Sequence, residues 1–202
     1  MLKLALLGSS GRSLKYAATI LTFALTGCLT MTHSNPASPT HLPTPWPLTF
    51  KEHSFGSHCY NTLRCSVIYD NYDFTRLDAD RPSGPPPSPD YRDKWKNASY
   101  LGARNFPSPA EVKWTSLDGA EHEAFIDIGS IFKDEKVLHH VEQSNIPDGW
   151  GLNIRPSIYI EVNDRTVSVL MRAHIATKDF RTPGNPDSNY RRETIVAWSK
   201  TY

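Results

Sequence analysis

No stretch of this 202-residue chain is apolar and long enough to cross a bilayer as a helix, which needs about 20 such residues. Charge of one sign is equally lacking: 22 basic against 21 acidic side chains leave a formal net charge of +1. That balance offers no field for nucleic acid. Cysteine is scarce, at three residues, which excludes a cysteine-dense mini-domain and a four-thiolate zinc knuckle. No glycine-rich phosphate cradle follows a strand. The Gly-x-Ser-x-Gly elbow of serine hydrolases and the paired helical histidines of zinc hydrolases are also missing. There is no internal repeat. The sequence makes no positive case for an enzyme, a cofactor or a metal.

What is present begins at the N-terminus. Lys3, Arg12 and Lys15 precede a short apolar run, Tyr16 to Leu25, which ends in Leu25-Thr26-Gly27-Cys28. A basic start, a short apolar core and small residues before a cut are the marks of a secretory signal over residues 1–27. The four-residue close resembles the lipobox of bacterial lipoproteins. That resemblance implies that Cys28 is acylated and becomes the first residue of the mature chain. Leu29 follows it, where the inner-membrane retention signal carries aspartate, so the resemblance implies the outer membrane, facing the periplasm. Removing residues 1–27 takes three basic and no acidic residues with them, which moves the net charge from +1 to −2.

Residues 28–47 hold the lipidation point and then a Pro/Ser/Thr-rich tether with five prolines. Such a segment cannot build a core and extends by about 3.1 Å per residue. A single globular domain is expected over residues 48–202. An exported chain keeps disulfides, and Cys59 and Cys65 are expected to pair, with a sharp chain reversal at Asn61-Thr62. Two free buried thiols are the alternative.

Strand patterns dominate that domain. Leu48 to Phe55 reads as a strand leading into a disulfide hairpin, and Cys65 to Phe74 is β-branched and aromatic. Ala79 to Asp90 carries five prolines and must lie on the surface. Tyr91 to Tyr100 has room for a short helical turn. Asp118-Gly119 joins Glu111–Ser116 to Glu121–Ile128 as a hairpin. Ser157–Val162 and Thr166–Ile175 form a second one, with Ile158, Ile160 and Val162 facing inward opposite Val167, Val169 and Met171. Ser130 to Val141 spaces its apolar residues like one or two helical turns, with Ser130 as cap. Glu193–Ser199 is the last strand. The expected fold is mainly β: an antiparallel two-sheet sandwich-like domain with one short helix.

Candidate chemistry is thin. His53, His58 and Asp70 could gather round a metal or serve a hydrolase, although surface histidines are the plainer explanation. Asp127 and Glu161 read as parts of solvated strand faces. Binding is the better reading. Of 22 aromatic residues, several cluster with arginines around the proline-rich loop. Aromatic and arginine side chains make good anchors because they bury large areas while satisfying a polar end. Tyr72, Arg76, Arg81, Tyr91, Arg92 and Trp95 are the candidate partner-binding residues. Half of such aromatics would in any case fill a core.

Three segments carry a further resemblance: His53 to Thr62, Asn105 to Trp114 and Glu161 to Thr166. Together they resemble small proteobacterial lipoproteins that act as immunity proteins beside type VI secretion phospholipase effectors. The resemblance implies a periplasmic inhibitor that binds a lipase-like toxin at its active-site mouth or lid. It transfers no catalytic residue. An envelope structural or assembly lipoprotein, binding another envelope protein or a glycan, is the alternative.

Overall fold

The computed structural model describes residues 43–75 and 81–202. Cys28, Arg76, the signal segment and most of the tether lie outside the described residues. The chain is mainly β. Strands β1 (Glu52–Tyr60), β2 (Thr62–Tyr69), β3 (Tyr72–Asp73), β4 (Tyr100–Arg104), β5 (Ala110–Ser116) and β6 (Glu121–Ile126) come first. A single-turn helix, α1 (Ile128–Ile131), follows. Then come β7 (Ser157–Asn163), β8 (Thr166–Arg172), β9 (Ile175–Ala176), β10 (Tyr190–Arg191) and β11 (Thr194–Thr201).

Two main sheets result. One has five strands in the order β11-β8-β7-β1-β4; the other has four in the order β3-β2-β5-β6. A small ribbon pairs β9 with β10. All pairings are antiparallel except β1 with β7, which run parallel from Ser54↔Ser157 to Tyr60↔Asn163. The core between the sheets takes Phe55, Val67, Tyr69, Val112, Trp114, Ile158, Ile160, Val167 and Val169, each almost wholly buried. Both expected hairpins are present. In the first, Gly119 adopts φ +83, the left-handed conformation glycine accepts without strain.

Four local expectations change. First, the disulfide Cys59–Cys65 does not close a hairpin. Its first cysteine lies on β1 in the five-stranded sheet and its second on β2 in the four-stranded one. The chain turns through Asn61, at φ +50, and changes sheet. The bond therefore staples the sandwich at a corner. Second, the first strand starts at Glu52, not Leu48; Leu48 and Phe50 are buried through bridges to the segment after α1, Val137 N–H donating to Leu48 O at 2.9 Å and Phe50 N–H to Glu135 O at 3.0 Å. Third, the helix begins at Ile128 and its cap is Asp127. Asp127 accepts from Ser130 N–H at 3.0 Å and from the Ser130 hydroxyl at 2.6 Å. A carboxylate satisfies the free first-turn amides better than the expected serine. The helix stops after one turn, and residues beyond it run as irregular chain. Fourth, β7 and β8 are buried on both faces, not one.

A second tie lies beside the disulfide, at the same end of the sandwich, where Cys65 pairs with Trp114. Trp114 Nε1–H donates to Asp164 O at 2.8 Å, and Leu117 N–H donates to Asp164 Oδ1 at 2.9 Å. The turn of the second hairpin is thus fastened to the turn of the first.

The ring closed by Cys59 and Cys65 is short, so chain entropy assigns the bond about 2.4 kcal/mol. Replacing both cysteines by alanine is expected to lower unfolding stability by about 2 kcal/mol. Urea unfolding of the two proteins checks this; an unchanged midpoint rules it out. Gly151 gives a second check. It sits at φ +102, and a Cβ there would lie 2.8 Å from Leu48 Cδ2. Gly151→Ala should lower the urea midpoint, at a cost of about 1–3 kcal/mol.

Candidate interaction surface

Register fixes which side chains share the outer face of the five-stranded sheet. Ser54, Ser157, Arg172 and Thr194 form one row across it. Gly56, Tyr159, Leu170 and Val196 form the next, and His58, Glu161, Ser168 and Ser199 the third. This face is not left to solvent. The segment that follows the proline-rich loop lies on it, with a 3-10 turn at Tyr91–Lys94. Trp95 and Ala98 pack there on Tyr159 and Leu170 and make a second, smaller apolar cluster.

Charge holds this cover in place. Glu161, expected on a solvated face, has only 2% of its side chain exposed. Arg92 grips both of its oxygens, Nη2 to Oε1 at 2.5 Å and Nε to Oε2 at 3.1 Å. The Tyr91 hydroxyl donates to Oε2 at 2.8 Å. Such a forked pair is strong and directional. Arg172 is also buried, and it makes no ion pair among the described residues. Its Nη1 donates to Trp95 O at 2.6 Å, its Nη2 to Arg92 O and its Nε to Thr194 Oγ1 at 2.8 Å. One guanidinium therefore binds the main chain of the cover at two points. His58 stacks on Trp95, with ring centroids 4.1 Å apart. Trp95 Nε1–H donates to Tyr60 OH at 3.0 Å. Among the described residues no buried side-chain nitrogen or oxygen lacks a partner.

The electrostatics follow from this packing. Burial pushes the His58 imidazole down to about 4, with nearby Glu161 opposing and Arg172 reinforcing the shift. Burial, then the hydrogen bond and charge of Glu161, push the Tyr91 hydroxyl up to about 12. The bond to Glu161 raises Arg92.

The sequence-derived binding residues therefore separate. Tyr91, Arg92 and Trp95 turn their polar ends inward and build the cover. Arg81 is exposed on the loop, and Tyr72 is 56% exposed. Tyr72 sits on the edge strand of the four-stranded sheet and packs on Tyr100, ring centroids 4.4 Å apart. Tyr100 begins the edge strand of the five-stranded sheet and donates its hydroxyl to Asp70 Oδ2 at 2.7 Å. Its neighbour Leu101 is 68% exposed. Two sheet edges thus meet where Tyr72 packs on Tyr100, and Leu101 is exposed on the same edge strand as Tyr100.

The sequence pattern assigns Glu161 to a solvated face and does not mark Arg172 or Leu101. The first two had a signal: a charge set into a run of β-branched residues. It was hidden because alternation assigned those positions to solvent.

Constellations that resemble catalytic ones are already satisfied internally. Ser116 Oγ lies 2.9 Å from His122 Nε2 and 2.5 Å from Asp118 Oδ1. The hydroxyl proton goes to the carboxylate, which leaves the imidazole as donor. Ser116 is fully buried, so this is a turn clasp and not a nucleophile. His53 is buried with Nδ1–H donating to Asn105 Oδ1 at 2.9 Å and Nε2 accepting from Tyr69 OH at 3.0 Å. Both of its nitrogens are taken, so it does not join His58 and Asp70. Among the described residues no three His, Cys, Asp or Glu side chains stand where one ion could be held.

Two predictions follow from the buried groups. Burial lowers both His53 and His58 below the ordinary 6.5. Below that pH the unfolded chain takes up protons that the folded chain refuses. Stability is therefore full above pH 6.5 and falls as the pH drops, down to about 4 for His58. The slope is at most about 1.4 kcal/mol per pH unit for each histidine. His58→Phe should flatten the curve of urea midpoint against pH; an equal slope would contradict the assignment. Arg172→Met should cost about 2–4 kcal/mol and raise amide exchange across residues 91–98. Unchanged exchange there would show that the guanidinium does not hold the cover. No family model, curated protein or solved structure matches this chain, so the reading of the surface rests on its own geometry.

Proposed function

We propose that this chain is a lipid-anchored envelope protein that binds and neutralises a phospholipase-type antibacterial effector in the periplasm. Its attachment point is Cys28, at the outer membrane. The observation that carries the binding reading is the exposure of Tyr72 and Leu101 on the edge strands of the two sheets, backed by a packed sandwich. An exposed apolar group on a fixed scaffold loses little entropy when a partner covers it. The disulfide suits an oxidising compartment. Ser116, His122 and Asp118 bond to one another with the serine buried, which favours an inhibitor over a hydrolase. The choice of a lipase as partner rests on the resemblance of His53–Thr62, Asn105–Trp114 and Glu161–Thr166 to immunity lipoproteins.

Survival is the test. The full chain is expressed with its signal in cells that export a phospholipase effector from the same genome. Protected cells and a co-purifying complex are expected. Tyr72→Ala with Leu101→Asp should weaken the complex by about ten- to a hundredfold, as for anchor residues at an interface. Cys28→Ser should release the protein from the membrane fraction. Unprotected cells with no complex end the proposal. A complex with a resident envelope protein instead would favour the structural lipoprotein.

A further inference from the structure

The outermost strands of the two main sheets are β11 and β4 in one, β3 and β6 in the other. Three of these edges are blunted. β3 is two residues long. β4 and β11 meet their neighbours through register shifts, between His53 and Phe55 and between Val196 and Trp198. Bulges and short length are the usual guards against a further strand. β6 has neither. It runs against β5 in unbroken register from Ala110↔Ile126 to Thr115↔Glu121.

The hairpin fixes which way the β6 main chain points. Ser116 N–H donates to Ala120 O at 3.0 Å. Bonded and non-bonded pairs alternate along an antiparallel ladder. His122, Ala124 and Ile126 therefore turn their amides to β5, and Glu121, Glu123 and Phe125 turn theirs to the free edge. Among the described residues, no partner meets the N–H or C=O of those three. Their side chains share the outer face of the sheet, where both glutamates are exposed and Phe125 is 66% exposed.

Charge and register select the occupant. Lys113, opposite Glu123 on β5, is shared between Glu123, at 3.3 Å, and Glu111. Glu121 makes no ion pair among the described residues. Thr115 stands opposite it, and Arg64 lies beyond Thr115 on β2, about 10 Å from Glu121 by two strand spacings. The edge is thus acidic at two outward positions and apolar at the third. A second copy of this chain is the poorer fit. An antiparallel pairing centred on His122, Glu123 or Ala124 sets Glu121 or Glu123 opposite another acidic residue, Asp127 in the last case. Like charges directly opposite one another destabilise a strand pair.

We infer that the free edge of β6 takes an extended segment of a partner protein as an added strand. Basic residues of that segment stand opposite Glu121 and Glu123, and an apolar one opposite Phe125. Main-chain hydrogen bonds supply the hold, and the alternate side chains supply the choice of partner. This edge lies across the four-stranded sheet from Tyr72, and the inference rests on no part of the lipase reading.

The test uses the full chain with Cys28→Ser, which removes the acylation point. Binding is measured to a short peptide that alternates lysine and valine, to its glutamate–valine counterpart, and to the lysine peptide N-methylated on its lysine main-chain nitrogens. The first should bind and slow amide exchange at Glu121, Glu123 and Phe125 by about tenfold or more. The other two should not bind. Glu121→Lys with Glu123→Lys should weaken the lysine peptide by about tenfold or more and admit the glutamate peptide. Equal binding of the methylated peptide would reduce the contact to charge alone and overturn the inference. Absence of binding, or unchanged exchange at the three amides, overturns it too. A dimer of the chain alone that protects the same amides overturns it in favour of a second copy. Failure of cell protection with peptide binding intact would sink the toxin reading and leave this one standing.

Discussion

A buried charge organises this domain. Arg172 comes off a strand in the middle of the five-stranded sheet, and its guanidinium ends under the main chain of residues 92–95. Burying a cation is costly unless its donors are met. Two carbonyls and a threonine hydroxyl meet three of them here. Glu161, buried on the neighbouring strand, is met in the same way by Arg92 and Tyr91. Neither group tolerates the removal of the cover. The cover is therefore as much a part of the fold as the sheets, although it has only a 3-10 turn for secondary structure.

This arrangement makes three layers out of what would otherwise be a two-sheet sandwich. The four-stranded sheet packs on one face of β7 and β8, and the chain around Trp95 packs on the other. Full burial of both strands follows. The disulfide and the Asp164 clasp tie the two sheets side by side at one end of their contact, where Cys65 pairs with Trp114 and Asp164 N–H donates to Tyr60 O. The free edges then lie outside this framework. The edge of the four-stranded sheet presents Tyr72, and that of the five-stranded sheet presents Leu101. Both surfaces owe their fixed shape to the buried groups behind them. This is the physical link between an unusual interior and a proposed role in binding.

The acid response and the binding role are separable. His53 and His58 resist protonation because they are buried, and the surfaces proposed for partners do not include them. Acid should therefore weaken the domain as a whole before it alters a contact. The redox state acts at one corner only, between β1 and β2.

Much of the fold was legible from the residues. The Asp118-Gly119 turn, the alternation of Ile158, Ile160 and Val162, and the nearness of Cys59 to Cys65 are local facts, and local geometry decides them. Sequence patterning also determined the mainly β class and the two hairpins. It could not determine that Cys59 and Cys65 stand in different sheets, because pairing partners are set by contacts far apart in the chain. Asp127 won the helix cap over Ser130 because its carboxylate reached the first-turn amides, which depends on where β6 ends. Tyr91, Arg92 and Trp95 were found as a cluster, but their direction was not. Only the tertiary structure decided that Glu161 and Arg172 face a covered surface, since alternation along a strand marks two faces and cannot say what lies over the second.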